Sequence, residues 1–448
     1  MRPLNKKYFL KVIFGIIYFF STFSSLLFGQ SDSTKNEKFS FHAQTTVITQ
    51  YKPSFSAKYS GVNSLQPQQE TQSSITSTLF MGARLWKGAS AYFNPEIAGG
   101  SGLSGALGVA ASTNGETYRV GDPKPAVALA RLYFRQQFSF GDEKEYIEST
   151  QNQLGGMRST HFFAFTIGKV SLADYFDANS FSHDPRTQFM SWALMSNGAW
   201  DYCANVKGYT PSIVLEYVSP MNELRYHASL VPKSANSSDM NWNVSEASGH
   251  SIEYTFKPHL EKGKMAFRFL GFYNTANMGN YKQSIALAGD SVPPNIVQTR
   301  QYGRSKYGFA FNMEIESRSK LTGVFLRAGW NDGNNETWMF TEIDRTLSYG
   351  FIVKGKKWKR KDDVLGIAAV FSGLSSEHRA YLKAGGKGFM LGDGNLNYGT
   401  EELVEMYYSC ALNDAIALTV AYQAVLNPGY NQDRGPVNVF SLRVHVQI

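Results

Sequence analysis

The chain has 448 residues and a formal net charge of +8, with 14% aromatic residues, 18% charged residues and two cysteines. Four of the basic residues, Arg2, Lys6, Lys7 and Lys11, lie in the first thirty positions with no acid among them, so the chain without that stretch carries only +4. This excludes a nucleic-acid partner, since no basic run exceeds Lys356-Lys357 with Lys359-Arg360-Lys361. It also excludes a disulfide scaffold, and Cys203 and Cys410 are expected as free thiols.

In chain order, the positive head is followed by an apolar run over 12–28 and by small Gly29 before Ser31-Asp32-Ser33. That pattern predicts a secretory signal peptide over 1–30, cut near Gly29 or Gln30, with an uncleaved anchor as the alternative. Residues 31–38 form a short segment, and 39–448 are one domain. No later apolar run is long enough to span a membrane as a helix. An exported, aromatic-rich chain then has one economical route into a bilayer, a closed barrel of strands.

Period-two alternation runs through the rest. Phe39, Phe41, Ala43, Thr45 and Val47 share one face against Ser40, His42, Gln44 and Thr46. Ile75, Leu79, Met81 and Leu85 oppose Thr76, Thr78 and Arg84. Leu132, Phe134 and Phe138 oppose Arg131, Tyr133 and Arg135, and Tyr307, Phe309 and Phe311 oppose Lys306 and Asn312. The last strand sets Phe440, Leu442 and Val444 against Ser441, Arg443 and His445. One face reads as consistently apolar and the other as consistently polar. Strands are predicted over 39–52, 73–87, 88–98, 129–140, 160–170, 209–218, 223–234 and 249–258. They continue over 263–275, 304–316, 321–331, 345–355, 363–372, 402–412, 415–426 and 437–448.

A soluble sandwich would alternate in the same way, so the connections decide. Long ones (53–72, 99–128, 171–208, 235–248, 276–303, 332–344, 373–401, 427–436) alternate with tight turns such as 219–222, 317–320 and 413–414. The charged stretch 141–159 is the exception: it should be a short turn if the register is right, and whether it forms a periplasmic element stays open. An even strand count with alternating long loops and short turns predicts an all-β fold: a transmembrane antiparallel β-barrel of 16 strands with long extracellular loops. A barrel of that size encloses water, so something must narrow it. The longest connection, 171–208, is the candidate for an inward-folded constriction loop carrying a short helix, with a helical surface insertion that has no pore role as the alternative. Asp184 can cap that helix, Pro185 suits its first position, Phe189, Trp192, Ala193 and Ser196 follow at helical spacing, and Asn197-Gly198 stops it. Such a helix would be about 18 Å long.

From Phe41 to the C-terminus the chain resembles the carbohydrate-selective porin family of outer membranes, the OprB-like porins. The blocks that carry the likeness include GARLWKGASAYFNPEIAGGSGLSGALGVA at 82–110, GKVSLADYFDANSFSHDPRTQFMSWALMSNGAWDY at 168–202, RAGWNDGNNETWMFTEIDRTLSYG at 327–350 and YQAVLNPGYNQDRGPVNVFSLRVHVQI at 422–448. The resemblance implies a sixteen-stranded outer-membrane barrel that admits mono- and small oligosaccharides by passive diffusion through an arginine-bearing constriction. It implies carbohydrates, outer-membrane lipid and the barrel insertion machinery as partners, and neither enzyme activity nor a cofactor. Outer-membrane barrels commonly end in an aromatic residue read by that machinery; this chain departs from the pattern and ends in Ile448. A porin-like homo-oligomer is compatible with it, although no interface is legible.

A sugar path needs groups that replace water around hydroxyls without holding the sugar for long. Arginine forks pair with hydroxyls, and aromatic faces suit pyranose rings. Arg84, Arg131, Arg135 and Arg327 fall on the polar face of their strands and are assigned to the lumen wall, while Asp177, Arg186, Trp192 and Trp200 are assigned to the constricting loop. The alternative for each is that lumen charges pair with one another to hold loops in place. Two functional rivals stay open: a general or anion-preferring diffusion channel, and a barrel enzyme, for which no nucleophile and base are found together. Asp393-x-Asn395-x-Asn397 resembles the start of a calcium loop, but Tyr398 and Val404 stand where glycine and glutamate are needed. Ser182-His183-Asp184 are adjacent and cannot form a relay by themselves.

Overall fold

In the computed structural model, which describes residues 36–117, 123–261, 263–289 and 292–448, sixteen strands close an antiparallel barrel. The predicted leader lies outside the described residues. The first wall strands are β1 (Phe39–Lys52), β2 (Glu70–Trp86), β3 (Ala89–Gly100) and β4 (Ala126–Ser139). A small separate hairpin follows, β5 (Lys144–Ile147) and β6 (Gly156–Ser159). The wall resumes with β7 (Phe162–Val170), β8 (Thr210–Val218), β9 (Asn222–Ser229), β10 (Ser248–Phe256), β11 (Lys264–Met278) and β12 (Gln301–Glu316). It is completed by β13 (Thr322–Asn331), β14 (Arg345–Lys354), β15 (Val364–Gly373), β16 (Glu401–Ala411), β17 (Ile416–Leu426) and β18 (Val437–Gln447).

Each wall strand pairs with its neighbour in sequence, with β4 paired directly to β7. β1 closes on β18 from Gln44↔Gln447 to Tyr51↔Phe440. Ile448 joins that seam, exchanging backbone hydrogen bonds of 2.9 and 3.0 Å with Ala43. Closure leaves no unpaired edge, which is what permits strands to sit in lipid.

The alternation sets the two faces. Leu132, Ile213, Phe269, Phe309, Ile367 and Phe440 are exposed on the outer wall, whereas Thr78, Glu96, Lys306, Asn312, Arg327 and Arg443 point inward and are buried. The inner face is not uniformly polar, however. Phe325, Leu403, Tyr407 and Val439 also point inward, and they form a core with Phe181, Phe189, Met190 and Leu194 of the folded-in loop. A loop that fills a lumen must bury apolar surface of its own, so the wall opposite it is apolar too.

Segment 141–159 is not a short turn. It forms the β5–β6 hairpin, which lies against the inner face of β1 at the end of the barrel that carries the tight turns. His42 Nε2 and Ser149 Oγ are 3.0 Å apart, Gln151 donates to Gln44 at 2.8 Å, and the Gly155 amide donates to the Glu37 carboxylate at 2.8 Å. Two outer connections carry helices that strand alternation does not signal, Tyr281–Ala288 capped by Asn280 and Ser376–Lys383 capped by Ser375. Tyr281 and His378 of these helices stack at 4.3 Å. Both cysteines are free thiols.

Candidate functional site: the constricted lumen

Carboxylates on the inner face of the wall hold the connection between β7 and β8 inside the barrel by its amides. Glu253 accepts from the Asp177 amide at 2.7 Å, Glu314 from Ser180 at 2.5 Å, and Glu405 from Met190 and Ser191 at 2.6 and 2.9 Å. Arg327 and Arg443 hold it by its carbonyls. Arg327 donates to Ser182 O and Leu194 O at 2.7 and 2.8 Å, and Arg443 to Pro185 O and Gln188 O at 2.8 and 2.6 Å. Wall glycines make room for the loop: a Cβ on Gly323 would come within 2.4 Å of the Phe181 ring, and one on Gly329 within 2.1 Å of Asn197 Oδ1.

These wall contacts explain why the long helix predicted from Asp184 to Ser196 is not formed. Asp184 does cap a turn, accepting from the Arg186 amide at 3.0 Å and from Thr187 Oγ1 at 2.9 Å. The amides of Met190 and Ser191 then go to Glu405, and those of Trp192 and Ala193 to the carbonyls of Ser112 and Ala111. With its amides engaged elsewhere, the chain keeps only the single turn Trp192–Met195. The neighbouring connection is gripped in the same way, since Glu401 accepts from Ala110 and Ala111 at 2.9 and 2.8 Å.

A cavity of about 1130 Å³ remains between this loop, the β5–β6 hairpin and the wall strands β2 to β4, β8 and β9. The arginines beside the folded-in loop are paired with acids. Arg131 makes two bonds to Asp174, 2.6 and 2.7 Å, and lies over the Tyr209 ring at 5.2 Å. Arg135 is ion-paired to Glu216, which also takes Arg225 at 3.3 Å. Arg186 reaches Glu116 at 2.8 Å and Glu96 at 3.1 Å, and Glu96 further accepts from Thr78 and Tyr209. Burial raises the Glu116 carboxyl above its ordinary range against the pull of Arg186. Aromatic faces complete the lining. Tyr92 and Tyr133 stack at 4.8 Å, and Trp192 and Tyr202 flank Phe340 at 4.6 and 4.4 Å.

Of the eight residues assigned from sequence, Arg84, Arg131, Arg135, Arg186 and Trp192 line this cavity. Arg84 stands at its turn-end mouth, donating to the carbonyls of Glu37 and Gly155 at 2.9 and 3.1 Å. Asp177, Trp200 and Arg327 are instead buried between loop and wall. Trp200 donates to Ser251 Oγ at 3.2 Å, and Asp177 pairs with Arg327 at 3.0 Å. The acids that compensate the arginines, Glu96, Glu116, Asp174 and Glu216, are not among the eight residues assigned from sequence, although Asp174 stands close to the predicted helix. Glu96 and Glu216 could have been, since both occupy inward positions of their strands. Asp393, Asn395 and Asn397 bond residues of the adjoining outer loops: Asn431 donates to Asp393 at 3.0 Å, Tyr59 to Asn395 O at 2.7 Å, and Asn397 to Asp433 at 3.0 Å. Among the described residues, no group of three or more His, Cys, Asp or Glu side chains is placed to hold a metal ion.

The sequence profile of the carbohydrate-selective porin, OprB family matches residues 62–448. Among solved structures, the high-pH form of Pseudomonas putida OprB superposes with a TM-score of 0.67 at 14% identity, covering 92% of this chain and 94% of that one. Its low-pH form gives 0.50 at 10% identity, covering 92% and 93%. The outer membrane channel DcaP of Acinetobacter baumannii also gives 0.50 at 10% identity, covering 94% and 99%. At such identities the likeness is one of fold. Comparison with proteins of curated function returns no match.

Proposed function

The chain belongs to the carbohydrate-selective porin (OprB) family, and from that premise we propose that this outer-membrane porin passes mono- and small oligosaccharides by passive diffusion. The observation that supports sugar over anion is charge compensation: Arg131, Arg135 and Arg186 each face a carboxylate at the constriction. Paired charges give little net field to draw anions, yet they still offer rows of donors and acceptors to neutral hydroxyls. Trp192 adds a half-buried indole ring beside them. A solute can exchange water for such groups on entry and release them on exit. Family and fold argue for a channel rather than an enzyme.

The cationic mouth favours the second reading, a general or anion-preferring pore. Lys38, Arg84, Lys87 and Lys144 line the turn end of the cavity and would raise the local anion concentration. Planar-bilayer recording separates the two. Concentration-dependent block of the ion current by glucose or maltose is the expected result. Strong anion selectivity with a current indifferent to both sugars would overturn the sugar reading.

A further inference from the structure

The basic run Lys356-Lys357 with Lys359-Arg360-Lys361 takes no part in the lumen. It forms the turn from β14 to β15, at the end of the barrel where outer-membrane proteins carry their short periplasmic turns. All five cationic residues are exposed, with Asp362 the one exposed acid beside them. A left-handed residue, Lys359 at φ 64°, folds the turn back on itself. The direction of the fold is outward. Trp358 Nε1 donates to Tyr408 OH at 3.1 Å, and Arg360 donates to Ala411 O at 2.8 Å and meets Cys410 Sγ at 3.1 Å. Tyr408 and Cys410 continue the outer face that Val404 and Met406 present to lipid on β16. The same rim carries Arg318 and Lys320, both exposed, in the adjacent turn between β12 and β13.

Two independent features therefore meet at one height on the wall. Trp358 is 37% exposed in the turn that follows the exposed Phe351 and precedes the exposed Leu365 of its own hairpin, and tryptophan at the edge of an apolar belt marks the headgroup level. Around it stand four lysines, none of which is engaged by the carboxylate of Asp363, whose ion-pair partner is Arg360 at 2.6 Å. We propose that this outward-folded turn is a docking surface for anionic phospholipid headgroups of the inner leaflet, with Trp358 seated at the glycerol level just beneath the headgroups and the lysines on the phosphates. The side of the barrel it occupies selects lipid over a periplasmic polypeptide, because Trp358 and Arg360 lie along the membrane-facing wall, not over the pore mouth. Clustered surface lysines next to a membrane each strengthen anionic-lipid contact severalfold, and the effect is screened by salt.

The test uses the full barrel reconstituted into vesicles of equal parts phosphatidylcholine and phosphatidylglycerol, then released with its bound lipid for native mass spectrometry. Phosphatidylglycerol should be retained over phosphatidylcholine by roughly tenfold. The variant K356Q/K357Q/K359Q/K361Q should fall to parity, with single-channel conductance unchanged to show an intact barrel. Bromine-labelled phosphatidylglycerol should quench a fluorescence component that is missing in Trp358→Phe. Equal retention of the two lipids by the natural protein, undiminished retention in the glutamine variant, or no quenching of Trp358 would each overturn the assignment. So would binding of poly-aspartate to the detergent-solubilised protein as tightly as phosphatidylglycerol, which would make the turn a surface for acidic polypeptides.

Discussion

Arg327 on β13 and Asp177 at a left-handed corner of the folded-in loop meet at 3.0 Å, both buried, at the place where loop and wall are joined. The guanidinium also serves the carbonyls of Ser182 and Leu194, while the carboxylate accepts from Asn312 Nδ2 and the Asn197 amide. A buried pair bonded on all sides is costly to break from one side, about 3–5 kcal/mol, because the remaining charge stays desolvated. Arg327→Ala should therefore loosen the loop while leaving the hydrogen-bonded wall closed. The expected outcome in planar bilayers is a larger single-channel conductance, with unchanged heat-modifiable migration in gels. A conductance equal to that of the natural protein would show that the loop is positioned without this pair.

Glu405 holds the amides of Met190 and Ser191 and takes a bond from Gln423 at 2.9 Å. Hydrogen bonds to a charged acceptor contribute about 1.5–3 kcal/mol each. Glu405→Ala removes the acceptor from two buried amides, and Glu405→Gln leaves a weaker one. Hydrogen exchange at Met190 and Ser191 should accelerate most in the alanine variant and by less in the glutamine variant, with the β16–β17 ladder protected in both. Equal protection of the two amides in all three proteins would refute the role given to Glu405.

The barrel was legible in the sequence because period-two alternation and the rhythm of long and short connections are local properties of the chain. The interior was legible only in part. Arg327 reads as a lumen arginine from its strand position, but nothing in the sequence shows that the carbonyls of Ser182 and Leu194 will cover it. The run from Asp184 to Ser196 carries genuine helix signals, which lost to Glu405 more than two hundred residues away, an acceptor that no local pattern can announce. The β5–β6 hairpin is another such case: its charged sequence suggests a solvated turn, and distant partners, among them His42, Gln44 and Glu37 on and before β1 and Arg84 on β2, draw it inward.

Outer-loop packing should depend on acid through Asp344. Burial alone would raise this carboxyl, but Lys306 at 3.5 Å and His378 at 3.0 Å, with the Ser375 amide, override it and hold the group well below the usual carboxylate range. A carboxyl depressed in the folded state lends its stabilisation in full above the ordinary aspartate value of about 4 and loses it as pH falls from there toward the depressed value. Asp344→Asn should accordingly lower the thermal midpoint of the outer loops at pH 7, with the gap from the natural protein narrowing as the solution is acidified below about pH 4. Near-ultraviolet circular dichroism across that range provides the measurement. A gap that stays constant down to strong acid would mean that Asp344 acts by shape alone.

Charge compensation in the cavity makes a prediction that separates sugar passage from anion passage within one set of variants. Asp174 engages Arg131 through both of its oxygens. Asp174→Asn leaves the guanidinium uncompensated beside Tyr209, adding one net positive charge to the narrowed lumen. A unit charge about 4 Å from a passing ion in water is worth about 1 kcal/mol, roughly a fivefold change in relative permeability at the conversion of 1.4 kcal/mol per decade. The reversal potential in a potassium chloride gradient should therefore shift toward chloride in Asp174→Asn and toward potassium in Arg131→Gln. The double variant should return close to the natural protein, because the two charges are removed together. Sugar block should weaken in all three, since each loses half or all of the hydroxyl-pairing fork. Were the single variants to leave ion selectivity untouched while sugar block also persisted, the solute path would have to run elsewhere than past Arg131 and Asp174.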